Sequence, residues 1–461
     1  MRHYLHILCF LLLSISSLWA AQPSASVSGT LPVVYIQTTD NAPIDSKETY
    51  IAGTLSIDPL NTDMPALNEV AAQFKGRGNW TWNGFDKKPY KIKFDAKQSV
   101  LGMPKNKHWC LLAHADDYLG YLKNTVGFML SEQIGLRWTP RFQPVELVLN
   151  GTYQGLYFLT EHVRIGSNRV NITEQADNAT DSASGGWLVE IDNYSSEGNI
   201  TFHEGNGQYV MVSLKEPEVL SAQQRDYIEQ QIYALNDVIY GSSATELWGM
   251  MDVEEAAKYY LVQEIMEDCE SYHGSCYLYK DCDRNEIVDK WKFGPVWDFG
   301  NAYDRQQERW IYDHPIWPQY WIGQLAQWPE FQTKVSENWY TYYHSHLSAT
   351  RSRIADFVTT ITQAARNDAE RWRGTQGYCD NSNMEDRKNE FLNRFNSRID
   401  WLYSQWGEGT QPQLQAIDEI IVPDGKEIVN RQSSNRKYIK DGQLLIIRDG
   451  KTYNVVGATV K

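Results

Sequence analysis

The stretch GPVWDFGNAYD, residues 294–304, contains a single Asp-Phe-Gly tripeptide. In enzymes that transfer phosphoryl groups, the Asp of such a tripeptide holds the magnesium ion that bridges the phosphates of ATP. Asp298 is therefore the first candidate for a metal ligand. Alone the tripeptide is weak, because three common residues at a strand end also arise by chance. A complete site would need a carboxylate near the acceptor hydroxyl and cations at the phosphates.

Several acidic residues lie close together in EIMEDCESYHGSCYLYKD, where a predicted helix ends and a strand begins. They include Asp268 and Glu270, either of which could orient or deprotonate an acceptor hydroxyl while another carboxylate holds magnesium. The same spacing is also typical of a solvated helix end, which is the commoner arrangement.

Two polar segments could supply the cations. In GRGNWTW, Arg77 and Asn79 lie at a predicted turn whose glycines would let backbone N–H groups approach an anion. In KKPYKIKF, Lys91 and Lys93 share one face of a predicted strand, from which a lysine can reach phosphates. Taken singly, each segment could equally be an ordinary turn or a solvated strand face.

Two glutamates, Glu146 in PVELVL and Glu161 in FLTEHV, lie inside apolar strand segments. Burying an unpaired carboxylate would cost about 3–5 kcal/mol, so each should lie at an edge or pair with a buried cation. One interpretation is a structural ion pair. The other is that one of them orients Lys93 at the phosphates.

Composition limits the possible classes of function. The chain has 461 residues, 42% hydrophobic and 13% aromatic, enough for a large core. Its net charge of −15 argues against nucleic acid as a partner. An acidic protein that handles phosphates must therefore gather its lysines and arginines locally.

The N-terminus is typical of a secretory signal peptide. Residues 1–21 combine a positive start, a short apolar run and small residues at a possible cleavage site. No later segment is long and apolar enough to predict a membrane span. We therefore expect a secreted protein, in the periplasm, at the outer surface or outside the cell.

After cleavage five cysteines remain, for which one local disulfide or none is favoured over a zinc site.

Hydrophobic periodicity predicts an α+β chain. Period-2 segments and an Asn-Gly turn make residues 31–195 β-rich, whereas helical spacing dominates residues 196–406. Residues 407–461 begin as a linker and end in two Asp-Gly turns between β-prone runs, which predicts a small β appendage.

Motifs in a fixed order resemble the CotH kinase family of atypical, spore-coat-type protein kinases. The resemblance runs from about residue 31 to 406 and is carried by KGRGNWTW, KKPYKIKFD, LGMPKNKHWCLLAHADD, IGLRWTPRF, PVELVLNGTYQGLYFLTEHV, RVNI, GGWLVEID, YLYKD and GPVWDFGNAYD. The tail is similar to C-terminal segments of exported proteins in Bacteroides-like bacteria.

The resemblance implies a distant version of the protein-kinase fold over residues 22–406, with a β-rich nucleotide-binding part and a helical catalytic part. It also implies ATP and Mg²⁺, with transfer of the γ-phosphate to a Ser or Thr hydroxyl of a protein substrate. It places Asp298 at the metal and Lys93 at the phosphates, and it matches Glu146 and Glu161 to recurrent acids of the family.

The chain departs from the family pattern at three places. Glu270 stands where the family commonly has Asp, so Glu270 or Asp268 would have to serve as base or orienter. Gly300 stands where a second metal-binding Asp is frequent, which leaves Asn301 or Asp304 as replacements. A family Arg-Asn pair is Lys123-Asn124 in this chain.

Two other functions compete with phosphoryl transfer. A non-catalytic binding module displayed at the cell surface would explain the altered catalytic Asp and the many aromatic residues. A glycoside hydrolase would use paired acids among aromatics, but nothing in the sequence sets the carboxylate separation that such an enzyme needs.

Overall fold

The computed structural model describes residues 26–412, apart from residue 61 and segments 181–182, 195–198, 204–208, 285–287, 305–307 and 314–319. Further along it describes the backbone of strands between 436 and 460. The predicted signal peptide lies outside the described residues. The chain divides into two compact units, one extending to Gln411 and the other beginning at Pro412, within the linker expected from residue 407 onward.

Strands of the first unit form a closed barrel. They are β1 (Val33–Thr38), β2 (Ile51–Asp58), β3 (Leu67–Gly76), β4 (Tyr90–Val100), β5 (Met103–Leu112), β6 (Phe142–Leu149) and β7 (Thr152–Glu161). Their order is β1-β2-β3-β4-β5-β7-β6, closed by the parallel pair β1 and β6, with all other neighbours antiparallel. The predicted hairpins are present: Phe74 of β3 pairs with Ile92 of β4, and Asn150-Gly151 connects β6 to β7.

Alternation along β4 decides which side chains fill the barrel. Tyr90, Ile92 and Phe94 are at most 5% exposed and belong to the cluster inside it. Lys91 and Lys93 lie between them and therefore face outward.

A second sheet lies beside the barrel in the same unit. Its strands are β8 (Trp187–Ile191), β9 (Asn199–His203), β10 (Tyr209–Glu216), β11 (Cys276–Lys280) and β12 (Lys292–Phe293), in the order β12-β11-β8-β10-β9. The β structure thus continues well beyond residue 195, where we expected helices to take over. Strands β8 and β11 pair across the long helical segment between them, with Val189 opposite Leu278, a contact that local periodicity does not reveal.

Most helices lie within residues 196–406, where helical spacing predicts them. The helices are α1 (Trp80–Asn83), α2 (Leu122–Ile134), α3 (Ala222–Ile239), α4 (Ala244–Met250), α5 (Val253–Met266), α6 (Ile322–Leu325), α7 (Pro329–Ser345), α8 (Leu347–Trp372) and α9 (Met384–Trp406). The Asp252 side chain caps α5 by accepting a hydrogen bond from the Glu255 N–H, as an Asp just before a helix commonly does. Helix α2 ends at Gly135, whose φ of +83° suits glycine.

Two hydrophobic clusters organise the first unit. One fills the barrel, and a larger one packs the outer wall of β5 and β7 against the second sheet and the long helices. Most large aromatic side chains in the larger cluster, such as Trp187, Trp291 and Trp339, are fully buried. Aromatic residues therefore serve mainly as core, which weakens their use as a sign of a carbohydrate-binding surface.

The α+β prediction is confirmed in its coarse form, a β-rich N-terminal part with a barrel and a helical C-terminal half. Likeness to the protein-kinase fold stays a prediction. Among the described residues no helix is long and apolar enough to cross a membrane. The cysteines that the structure describes are free thiols, so they form no local disulfide.

The second unit contains a four-stranded antiparallel sheet. Its strands are β13 (Arg436–Lys440), β14 (Gln443–Arg448), β15 (Lys451–Asn454) and β16 (Thr459–Val460). Each strand pairs with the next, as the β appendage predicted from the Asp-Gly turns requires.

A buried ion pair joins the barrel to α8. Lys87 Nζ lies 2.8 Å from Asp368 Oδ1, and both side chains are at most 1% exposed. Asp368 also accepts hydrogen bonds of 2.8 Å from the Leu156 N–H and the Tyr121 hydroxyl. Gly155 of β7 permits this approach, because a Cβ there would lie 1.9 Å from Asp368 Oδ1.

We predict that Lys87→Met and Asp368→Asn each lower the free energy of unfolding by about 3 kcal/mol, because each leaves a buried charge without its partner. The double variant should lose clearly less than the sum of the two. Urea denaturation measures both quantities. Arg353→Met is the matched control, because its pair with Glu132 is exposed and should contribute less than about 1 kcal/mol. Additive losses in the double variant would show that the pair is not coupled.

Candidate functional site

Asp298 lies on a left-handed turn that follows β12. Its φ is 57°, a conformation that Asp tolerates because its side chain can hydrogen-bond locally. Asp298 Oδ1 accepts such a bond from the Gly300 N–H at 3.2 Å. Trp297 before it and Phe299 after it are buried. The Asp298 carboxylate is therefore the exposed group between two buried anchors.

Two side chains of helix α2 hydrogen-bond the backbone of this turn. Asn124 Oδ1 accepts a hydrogen bond of 3.0 Å from the Phe299 N–H. Lys123 Nζ donates to the Gly300 carbonyl at 2.7 Å and pairs with Asp304. The Lys123-Asn124 dipeptide, noted in the sequence only as a departure from the family, thus positions the residues on either side of Asp298.

Of the two replacements considered for a ligand missing at Gly300, Asp304 is engaged elsewhere. It pairs with Lys123 and accepts a hydrogen bond of 3.0 Å from the Tyr118 hydroxyl. Asn301 lies nearer the carboxylates, because its Nδ2 donates to Glu270 Oε2. That bond leaves the amide oxygen of Asn301 as the atom that a cation could use.

Asp116, to which the sequence analysis assigned no role, lies beside Gly300. Its Oδ2 is 3.9 Å from the position that a Cβ at Gly300 would take, and Asp298 Oδ1 is 3.2 Å from the same point. Burial and then the negative charge of Asp298 raise the pKa of Asp116 to about 7. The two carboxylates form a site that favours a cation. In the sequence, Asp116 is the first of two adjacent acids in HADD, within a motif already matched to the family, and this could have identified it.

Glu270 and Asp268 join this cluster, but in different environments. Glu270 is partly exposed; burial raises its pKa, while hydrogen bonds from Tyr194 and Asn301 oppose the rise. Asp268 is 1% exposed, and its Oδ1 accepts a hydrogen bond of 3.3 Å from the Glu270 N–H. Burial, followed by the charge of Glu270, raises the pKa of Asp268 well above its usual range. Asp268 therefore supports the loop from within, and Glu270 is the carboxylate that a substrate can reach.

Arg77 is the predicted cation that reaches the site. Its guanidinium lies over the Trp297 ring at 5.6 Å. Burial raises the pKa of the Cys110 thiol, and the positive charges of Arg77 and Lys91 oppose that rise, so both cations lie near this residue of β5. Lys91 directly faces Cys110 in the barrel sheet.

Lys91 belongs to a positive surface on the outer wall of the barrel, the barrel cation patch, made of Lys75, Lys91 and Arg164. Lys75 and Lys91 are directly paired across β3 and β4. Burial lowers the pKa of Lys91, and the charges of Arg164 and Lys75 lower it further. Arg164 also pairs with Glu216 and Glu218, so neighbouring carboxylates already neutralise part of the patch.

Lys93 and Asn79 lie further from the Asp298 turn. Lys93 is opposite His108 in the sheet, and its Nζ is 5.8 Å from the Tyr50 ring. Asn79 is exposed and accepts a hydrogen bond of 3.1 Å from Lys47. Neither has a contact with the Asp298 turn among the described residues, and their assignment to the cofactor stays a prediction.

Glu146 and Glu161 have structural partners, and neither pairs with Lys93 in the part of the chain described. The buried Glu161 forms ion pairs with the buried Arg169 and the half-exposed Arg141, the structural alternative considered for it. Glu146 is fully buried, and no cation among the described residues pairs with it; it accepts hydrogen bonds from the Ser28 N–H and hydroxyl and from the Tyr153 hydroxyl. Their assignment to the cofactor was not tested directly, but contacts that already satisfy both carboxylates do not favour it.

Comparison with known families agrees with this arrangement. Residues 74–402 match the family described as CotH kinase protein, and the chain belongs to that family. The match begins at the end of β3 and includes β4 to β7, the second sheet and most of the helical half. No curated protein matches the chain.

We predict that Gly127→Ala lowers the free energy of unfolding by about 1–3 kcal/mol. A Cβ at Gly127 of α2 would lie 2.2 Å from Phe299 Cε2, so the aromatic anchor of the Asp298 turn would have to move. Gly249→Ala in α4 is the matched control, because no atom lies within 4 Å of its Cβ. It should stabilise by about 0.4–1 kcal/mol. Urea denaturation tests both variants, and equal effects would contradict the packing argument.

We predict that His108→Gln makes stability less sensitive to acid. Burial and then the charges of Arg164 and Lys91 lower the pKa of His108 to about 3. Between about pH 6.5 and 3 the unfolded chain binds a proton at this position that the folded chain does not, so folding loses stability as pH falls. From pH 7.5 to 5 the variant should lose about 2 kcal/mol less than the parent protein. If the urea midpoint falls by the same amount between the two pH values in the variant and in the parent, the prediction is wrong.

Proposed function

We propose that the protein is an exported atypical protein kinase that transfers the γ-phosphate of ATP, with Mg²⁺, to a Ser or Thr hydroxyl of a protein substrate. The observation that carries the proposal is a pair of carboxylates, Asp298 on its anchored turn and Asp116 beside it, in a chain of the CotH kinase family. Export is proposed from the signal-like residues 1–21.

The donor set around Asp298 suits Mg²⁺. This ion is usually bound by one or two carboxylates, with waters and substrate phosphates completing its shell. Asp298 and Asp116 would supply the carboxylates, and Asn301 an amide oxygen. In the described part of the chain no three His, Cys, Asp or Glu side chains converge as a ligand set, so the phosphates of ATP would help to hold the ion. When bound, the ion would neutralise the charge on those phosphates.

The remaining groups of the site would orient the reactants. Arg77, held against Trp297, would place a positive charge near the phosphates. Glu270 would accept the proton of the acceptor hydroxyl, a role that suits a carboxylate whose pKa burial has raised. Asp268, buried behind it, would keep the Glu270 backbone in place. Catalysis would then rest on positioning and electrostatics, as is usual for phosphoryl transfer.

A non-catalytic binding module on the same scaffold is the second candidate. One observation favours it: Glu270 is hydrogen-bonded by Asn301 and Tyr194, so the proposed base is already engaged. In that case the site would bind Mg-ATP, or another anion, without transferring a phosphate.

We predict that Asp298→Asn lowers phosphoryl transfer at least about 100-fold, because the variant loses a charge that is needed at the metal. The measurement is incorporation of labelled phosphate from ATP into a mixture of Ser- and Thr-containing peptides. The Asp298→Asn variant should also lose the thermal stabilisation by Mg-ATP, which at a ligand concentration of 100 Kd corresponds to about 2.7 kcal/mol. Asp95→Asn, at an exposed position of β4, is the control and should leave both readouts unchanged.

The outcomes separate the two candidates. Transfer by the parent protein that Asp298→Asn abolishes supports the kinase. Binding of Mg-ATP without transfer supports the binding module. If Mg-ATP does not stabilise the parent protein, neither the kinase nor the binding module uses this nucleotide.

A further inference from the structure

The carboxylate of Glu270 already holds a hydroxyl group of the protein itself. Its Oε2 accepts a hydrogen bond from the Asn301 amide, and the Tyr194 hydroxyl donates a further bond to the same carboxylate. Distances at Gly274 place these groups independently. The point that a Cβ of Gly274 would occupy lies 3.5 Å from Glu270 Oε1 and 3.1 Å from Tyr194 Cε2. The Tyr194 ring therefore lies beside Oε1, the oxygen that Asn301 does not bind.

This contact brings the Tyr194 hydroxyl to the candidate site. Asn301, the other partner of Glu270, follows Asp298 by three residues on the same turn. Burial raises the pKa of Glu270 and the charge of Asp298 adds to the rise, so the two carboxylates lie within electrostatic range. In phosphoryl transfer to a hydroxyl, the acceptor is bound in this way, with a carboxylate placed to take its proton.

The backbone holds Tyr194 against the loop that carries Glu270. The chain leaves β8 through Asp192, whose Oδ1 accepts a bond of 3.0 Å from the Tyr194 N–H. Asn193 donates its N–H to the His273 carbonyl at 3.3 Å, and His273 donates its N–H to the Glu270 carbonyl at 2.8 Å. The His273 ring also packs edge-on against the Tyr194 ring, with centroids 5.4 Å apart. The hydroxyl and the carboxylate are thus positioned by one connected set of contacts.

A second tyrosine near the turn differs in its partners. The Tyr118 hydroxyl donates to Asp304 at 3.0 Å, but Asp304 also pairs with Lys123. The Tyr118 hydroxyl in addition accepts a bond of 3.3 Å from Arg394. A cation beside a carboxylate favours its charged form and makes it a weaker proton acceptor. No cation among the described residues pairs with Glu270, so this carboxylate is the better base of the two.

Exposure sets Tyr194 apart from another tyrosine that is bonded to a glutamate. Tyr260 donates its hydroxyl to Glu264, yet it is 3% exposed and its glutamate pairs with Arg398. Tyr194 is 49% exposed. A phosphate added to the Tyr194 hydroxyl would therefore reach solvent, whereas one added to Tyr260 would be buried in the core.

We propose that the protein phosphorylates its own Tyr194 hydroxyl at the Asp298 site, in an intramolecular transfer of the γ-phosphate of ATP. The proposal rests on the proposed function and adds an acceptor within the chain. The phenol oxygen forms a bond to the γ-phosphorus as the bond from that phosphorus to the β-phosphate oxygen breaks. ADP leaves, and the phenol proton passes to Glu270. The fold delivers this hydroxyl, so the transfer needs no recognition of a second protein.

The test is mass spectrometry of the full chain after incubation with Mg-ATP. Phosphate should appear on the proteolytic peptide that contains Tyr194, and fragmentation should place it on the tyrosine and not on the adjacent Ser195 or Ser196. Because the transfer is intramolecular, its first-order rate constant should stay the same over about a tenfold range of protein concentration. Asp298→Asn should carry no phosphate there, which excludes a contaminating kinase.

Two variants test the contact with Glu270. Glu270→Gln should slow phosphorylation of Tyr194 by about 100-fold or more, because the variant lacks the proton acceptor. It should keep the thermal stabilisation by Mg-ATP, which shows that the variant is folded and binds the nucleotide. Tyr118→Phe is the matched control, since its hydroxyl bonds a carboxylate outside this contact, and it should be phosphorylated at Tyr194 as fast as the parent.

Each outcome decides one question. If the parent labels Ser- and Thr-containing peptides but carries no phosphate on Tyr194, the inference is wrong while the proposed function stands. Phosphate on Ser195 or Ser196 instead of Tyr194 has the same meaning. The inference is also wrong if Glu270→Gln phosphorylates Tyr194 as fast as the parent, or if the rate constant rises with protein concentration. If the parent labels neither itself nor the peptides, the proposed function and the inference fall together.

Discussion

Burial of the two aromatic residues beside Asp298 is the constraint on which the candidate site depends. Trp297 and Phe299 are taken into the core, and the left-handed turn between them leaves one carboxylate exposed. Helix α2 supports the turn through Asn124 and through a glycine at 127 that lets the Phe299 ring approach. The same turn brings Asp298 to Asp116. Hydrophobic packing of the two aromatic rings therefore holds the Asp298 carboxylate beside a second carboxylate of the same charge.

The cost of burying charge distinguishes the acidic residues of this protein. Glu161 and Asp368 are buried against cations that are themselves buried, which is the arrangement of structural ion pairs. Within the described residues, Asp116 and Glu270 have no such cation, and burial raises the pKa of both. Carboxylates left in this condition are stabilised by a metal ion or a proton, and they cluster at functional sites.

Local patterns predicted most of the individual elements. The β3–β4 and β6–β7 hairpins, the end of α2 at Gly135 and the Asp252 cap of α5 follow from period-2 alternation, an Asn-Gly turn and capping residues, all of which act over a few positions. The second sheet was only partly predicted, because β8 and β11 pair across the helices between them. Barrel closure through parallel β1 and β6 is likewise a long-range contact.

The sequence by itself determined the family, the elements and the candidacy of Asp298, because these reside in short motifs whose order can be read along the chain. Only the tertiary structure decided which charges meet. It placed Asp116 beside Gly300 and gave Glu146 and Glu161 structural partners. The physical reason is that the interaction of two charges depends on their separation and burial in space, and neither quantity is encoded by spacing along the chain.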